Sequence, residues 1–123
     1  MKIIYNKLVR DKMINIYKKD IEVARIKNYS VRYAEKEETL ERLKDKLLEE
    51  SQEVFEAYNE DDKTHLKEEL ADVIEVIDAI LYHNNIQLEE VLKIRDVKKE
   101  RKGGFETGLF LESIDYYDGK EPK

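Results

Sequence analysis

A chain of 123 residues with no cysteine and a formal net charge of −6 is long enough for one domain around one core. It can form no disulfide, thiolate metal site or cysteine nucleophile, and its acidity argues against binding a nucleic-acid polymer. No apolar run approaches the ~20 residues that cross a bilayer, and residues 1–5 are too short and too soon charged for a signal peptide, so a cytoplasmic protein without membrane association is expected.

Residues 2–5, with Ile3, Ile4 and Tyr5, are β-prone but too few for a strand. Leu8, Val9, Met13, Ile14, Ile16 and Tyr17 predict a short amphipathic helix from Leu8 to Tyr17. Lys7, Arg10 and Lys12 lie at its start, where cations gain nothing from the helix dipole. They either meet an anion or pair with acids elsewhere. Lys18 to Tyr33 reads as an irregular loop or small hairpin, with a turn at Asn28-Tyr29-Ser30. Helix formers dominate from Glu35 to Tyr58. Residues 59–62 break the helix, and Asp61 or Asp62 caps the next one. That helix runs from about Lys63 to His83 and ends at Asn84-Asn85.

A further helix is expected from Leu88 to about Lys99, with Val91, Leu92, Ile94 and Val97 on its apolar side and Gly103-Gly104 as its stop. Phe105 to Ile114 carries apolar residues able to pack on the body. Residues 115–123 form a polar tail that frays. The expected fold is therefore all-α: an antiparallel pair of long helices with shorter flanking helices, in a single domain over residues 1–114.

Two acidic clusters sit on the two long helices. Glu49, Glu50 and Glu53 lie on the first, Glu69 and Asp72 on the second. Residues three apart on a helix share a face, so Glu50 with Glu53, and Glu69 with Asp72, each aim two carboxylates at one point. Such hard oxygen donors suit Mg²⁺, Mn²⁺ or Ca²⁺. At ~100° per residue, Leu40, Leu43, Leu47, Val54 and Tyr58 form one apolar stripe, and Glu50 falls about 60° from its centre. On the second helix the stripe is Leu66, Leu70, Val73, Ile77 and Leu81, with Glu69 roughly 80° away. Both acids thus stand at the edge of the packed seam, where an uncompensated carboxylate is costly. Glu49 and Glu75 project to the far side. Spacing alone leaves a second reading open, a solvated acidic face.

Charge is unevenly distributed. Residues 1–36 carry 10 basic and 4 acidic side chains, and residues 37–90 carry 5 basic and 18 acidic ones. An acidic centre with basic flanks suits a metal-bound polyphosphate, although opposite charges pairing across the fold would look the same. Lys98, Lys99, Arg101 and Lys102 either bind phosphate or complement the end of their helix. No Walker loop is present, and no Glu-x-x-His pair of the di-iron bundles. His65 and His83 read as ordinary helix-end residues.

The pattern Glu-Glu-x-x-Glu followed by Glu-x-x-Asp resembles the signature of the MazG-like all-α nucleoside triphosphate pyrophosphohydrolases. The flanks Asn6-Lys7-Leu8-Val9-Arg10-Asp11-Lys12 and Arg101-Lys102-Gly103-Gly104-Phe105-Glu106 resemble the phosphoribosyl-ATP pyrophosphohydrolase-like subgroup, so the likeness extends over residues 5 to about 112. The resemblance implies hydrolysis of a nucleoside triphosphate to a monophosphate and pyrophosphate. It implies Mg²⁺, or Mn²⁺, held by Glu50, Glu53, Glu69 and Asp72, with one carboxylate not fully engaged with the metal, such as Glu53, to orient or deprotonate the attacking water. Glu49 matches the first position of the motif. Lys7, Arg10, Lys99 and Arg101 are the candidates for the substrate phosphates. Two alternatives remain: the same chemistry on phosphoribosyl-ATP in histidine biosynthesis, and a non-catalytic helical binding module.

A homo-oligomer, at least a dimer, is expected. Leu48 and Phe55 lie on a second face of the first long helix, and Val76 and Ile80 beside Val73 and Ile77 on the next, so a lone helical pair leaves apolar surface uncovered. The resemblance points the same way, to a bundle built from more than one subunit.

Overall fold

The computed structural model describes residues 1–122, and these are all-helical, with no strand among them. Four helices follow in order: α1 (Met13–Glu22), α2 (Lys36–Asn59), α3 (Lys63–His83) and α4 (Leu88–Lys102). The chain forms two compact units, the first Met1–Leu88 and the second starting at Glu89. No helix among the described residues is long and apolar enough to cross a membrane.

In the first unit α2 and α3 pack on each other. At ~1.5 Å per residue they are about 36 and 31 Å long. Their ends follow local chemistry. Residues 60–62 alone join them. Asp61 adopts a left-handed conformation at φ 54°, and the Asp62 side chain accepts a hydrogen bond from the His65 backbone N–H at 3.1 Å, capping α3 as expected. Asn84 ends α3, its side-chain amide donating to the Ile80 carbonyl at 2.7 Å, and Asn85 turns the chain at φ 57°. Glu37 and Glu38 stand in the first turn of α2, where the helix dipole favours acids. Arg32 grips Glu38 with two hydrogen bonds of 2.7 and 2.8 Å, fastening the non-helical residues before α2 to its first turn.

The helix pair is organised by a seam with alternating steps of four and three residues. On α2 the seam holds Leu43, Lys46, Glu50, Glu53 and Ala57. On α3 it holds His65, Glu69, Asp72, Val76, Ala79 and His83. Every one of these is buried or half-buried. Such a 3.5-residue period keeps one row against a partner helix. Leu43, Ala57, Val76 and Leu81 are the buried apolar residues, and Ala57 is fully covered. A small side chain there lets the backbones approach closely.

Several expectations are corrected. The expected helix from Leu8 to Tyr17 lies five residues later, at Met13–Glu22. Residues 7–10 are non-helical, and from them Lys7 and Arg10 reach acids on α2 and α3. The stretch read as irregular from Lys18 is helical to Glu22. Ala24 then turns at φ 58°, with no hairpin beyond it. Tyr58, placed in the α2 stripe, is exposed, as are Leu70 and Ile77 of the expected α3 stripe, whereas Val76, assigned to a second face, is buried. The true α3 seam is rotated toward Val76. Its apolar residues cover so broad an arc that periodicity alone does not select the inward row.

The second unit holds the rest of α4 and the segment beyond. α4 runs to Lys102, three residues past its expected end, and Gly103 stops it at φ 85°. Phe105, Leu109, Phe110, Leu111 and Ile114 are all exposed.

Candidate active site

The seam carries the acidic residues inward. Glu50 stands seven residues from both Leu43 and Ala57, two turns each way, so it occupies the centre of the α2 seam rather than its edge. It is 9% exposed. Glu69 and Asp72 hold the equivalent rows on α3. One carboxylate oxygen from each of Glu50, Glu69 and Asp72 lies within 4.8 Å of the others. Glu53, one turn further along α2, is half-buried but stands outside this group.

Three charges of one sign so close would repel unless cations attended them. Arg10 donates through Nη2 to Asp72 Oδ1. Lys46 Nζ lies 3.5 Å from Glu50 Oε1 and 3.3 Å from Glu49 Oε2. Lys7 Nζ donates to Glu49 Oε1 at 3.2 Å. Glu49 is thus not on an empty far face but bridges Lys7 and Lys46 beside the cluster.

The protonation of these groups follows from their surroundings. Burial is the main influence raising the Glu50 carboxyl above its ordinary range. The charges of Asp72 and Glu49 add to it, and Lys46 opposes them. Burial is also the largest single influence on Glu49. There, however, the hydrogen bonds and charges of Lys7 and Lys46 together outweigh it and hold the carboxyl below its usual value. Adjacent carboxylates are thereby pushed in opposite directions.

His65 takes a larger part than a helix-end residue. Its Nδ1 lies 3.0 Å from Glu60 Oε2 and its Nε2 3.0 Å from Glu69 Oε1. Both neighbours are carboxylate oxygens, so both contacts are satisfied together only when each ring nitrogen carries a proton. The hydrogen bond with Glu60 is accordingly the main cause raising the His65 pKa. Burial opposes it, and Glu69 adds to it. Sequence reading missed this histidine, and Lys46 as well. The one available signal was spacing: Lys46 is four residues before Glu50, and His65 four before Glu69.

The donor set fits a hard divalent cation. Its atoms are carboxylate oxygens. Two oxygens on one Mg²⁺ at ~2.1 Å are at most ~4.2 Å apart, close to the span of the cluster, so small side-chain rotations bring the three to one point.

Lys99 and Arg101 belong to the second unit. Lys99 Nζ lies 3.5 Å from Glu106 Oε1, and Arg101 is exposed in the last turn of α4. Of the four basic residues singled out in the sequence, Lys7 and Arg10 are those seen paired with the acids of the helix pair.

A family model described as phosphoribosyl-ATP pyrophosphohydrolase matches residues 17–99, which include all of α2 and α3. The chain belongs to that family. It is thereby part of the MazG-like superfamily, and an enzyme of the pyrophosphohydrolase kind, acting on a phosphoanhydride bond. The matched span contains every acid of the cluster and the Lys46 and His65 that attend it, while Lys7 and Arg10 precede it. No curated protein and no solved structure shows significant similarity to the chain.

Proposed function

We propose that this pyrophosphohydrolase cleaves a nucleoside triphosphate between its α and β phosphates, releasing a monophosphate and pyrophosphate, with Mg²⁺ or Mn²⁺ held by Glu50, Glu53, Glu69 and Asp72. The observation that carries the reading is the convergence of Glu50, Glu69 and Asp72 within 4.8 Å at a half-buried helix seam. When bound, the metal supplies Lewis-acid polarisation of the phosphates and a more acidic water. The chain's own residues do the rest. Glu53, one turn along α2 from Glu50 and outside the 4.8 Å group, is the carboxylate least engaged with the metal and is suited to orient the attacking water and take its proton. Arg10 and Lys7 stand next to the acids and can turn toward a polyphosphate as charge grows on its oxygens. Lys99 and Arg101 are phosphate candidates on the ground of the sequence alone.

The residue 60–62 link supports an antiparallel course for α2 and α3. Three residues span no more than ~10 Å, while buried residues run from Leu43 near the start of α2 to Leu81 near the end of α3. That course sets Glu50 opposite Asp72 and Glu53 opposite Glu69. The proposed working form is a homo-oligomer, at least a dimer. In its support, Leu48 and Phe55 on α2 and Leu70, Ile74 and Ile77 on α3 are all exposed. Large exposed apolar side chains of this kind are what a partner subunit would cover.

A second substrate reading has an observation in its favour. The matched family is described by phosphoribosyl-ATP, which carries the same anhydride. The decisive experiment measures pyrophosphate release from phosphoribosyl-ATP and from a panel of nucleoside triphosphates, each with Mg²⁺. A clear preference for a triphosphate supports the first reading, and turnover of phosphoribosyl-ATP alone supports the second. No release from any of them overturns both.

A further inference from the structure

The cluster is one end of a longer chain of contacts. Glu60 follows α2 as its C-cap residue. Its Oε2 meets His65 Nδ1, and His65 Nε2 meets Glu69 Oε1, each at 3.0 Å. The backbone of His65 is itself fixed, since its N–H donates to the Asp62 cap. The imidazole is therefore held at both ring nitrogens on a backbone that is itself capped, and its far nitrogen grips an acid of the cluster.

A glutamate side chain turns about three bonds, and the last of these is broad and nearly two-fold. Burial alone does not fix the plane of its carboxylate. A donor on one oxygen does, and it leaves the second oxygen with its lone pairs free. Glu69 is held in this way within a seam where its side chain is largely covered. The ring also stands between Glu60 and Glu69, so it couples the α2–α3 link to the cluster.

We infer that His65 is a positioning residue: anchored by Glu60, it orients the Glu69 carboxylate so that its free oxygen faces Glu50 and Asp72. The inference rests on the metal-site reading of that cluster. Outer contacts of this kind change metal affinity by about 10- to 100-fold when removed.

The test is calorimetric titration of the full-length chain with Mn²⁺ alone, at one fixed neutral pH, for wild type, His65→Ala, His65→Gln and Glu60→Ala. The helical content of each is checked by circular dichroism. His65→Ala is expected to weaken Mn²⁺ binding about tenfold with helicity unchanged. His65→Gln keeps a donor within reach of Glu69 and is expected to restore most of the affinity. Glu60→Ala, which frees the outer anchor only, should fall between. A purely structural role would lower stability without separating the Gln from the Ala variant in affinity. Equal dissociation constants for wild type and His65→Ala, or a Gln variant as weak as the Ala one, would overturn the role of His65 while leaving the metal site standing. Absence of Mn²⁺ binding to the wild type would overturn the metal site, and this inference with it.

Discussion

Arg10 and Asp72 are 62 residues apart in the chain, yet the Arg10 guanidinium donates to the Asp72 carboxylate. With Lys7 on Glu49, this contact ties the non-helical residues before α1 to both acidic helices. The acids of the seam thus have cations from outside their own helices, and two of the basic residues suited to a polyphosphate already stand beside them.

Activity is expected to require Mg²⁺ or Mn²⁺, because Glu50, Glu69 and Asp72 offer only hard oxygen donors at one point. Pyrophosphate release should disappear in EDTA and return when the metal is restored. Undiminished turnover in a stripped sample would end the metal mechanism.

Glu50→Gln and Asp72→Asn should each abolish most activity while the metal-free protein melts at the same temperature or higher. For Glu50 the sign follows from its raised folded pKa, caused chiefly by burial. Its favourable contribution is complete below the unfolded value of about 4.3 and is lost as pH rises through the folded value. Ionised Glu50 therefore destabilises the metal-free fold at neutral pH. The stabilisation of Glu50→Gln should be present at pH 7 and shrink toward pH 4 in thermal melts without metal. A lower melting temperature at pH 7 would contradict this. Glu75→Gln, on an exposed position, should leave turnover unchanged.

Neutralising Arg10 or Arg101 should reduce turnover of the triphosphate more than it reduces stability. The Arg10–Asp72 pair is well exposed, with Arg10 at 59%, and such surface pairs contribute about 0–1 kcal/mol. Steady-state kinetics and denaturant melts on the same variants separate the two effects. Kinetics matching wild type for both would return these residues to plain surface charge.

Light scattering after gel filtration, at micromolar concentration and moderate salt, should give at least twice the 14.7 kDa of one chain. Phe55→Glu and Ile74→Glu, both on exposed apolar positions, should shift the protein toward the monomer. A single-chain mass for the wild type would overturn the oligomer.

What the sequence determined by itself was local. Asp62, Asn84-Asn85 and Gly103 ended or capped helices where their own chemistry demanded it, because a cap depends on atoms within a few residues. The acid pairs were legible for the same reason, since a spacing of three fixes a shared helix face. The tertiary structure decided which face turned inward. α3 is apolar on several sides, and periodicity placed Leu70 and Ile77 in the inward stripe and Val76 on a second face, whereas in the fold Val76 is buried and the other two are exposed. Packing against α2 selected the row of Glu69, Asp72 and Val76, and moved Glu50 from the edge of the seam to its centre. The identity of the acids' distant partners was beyond sequence reading. Lys7 meets Glu49 across 42 residues and Arg10 meets Asp72 across 62, separations at which no periodicity carries information. Only the folded chain brings those charges together.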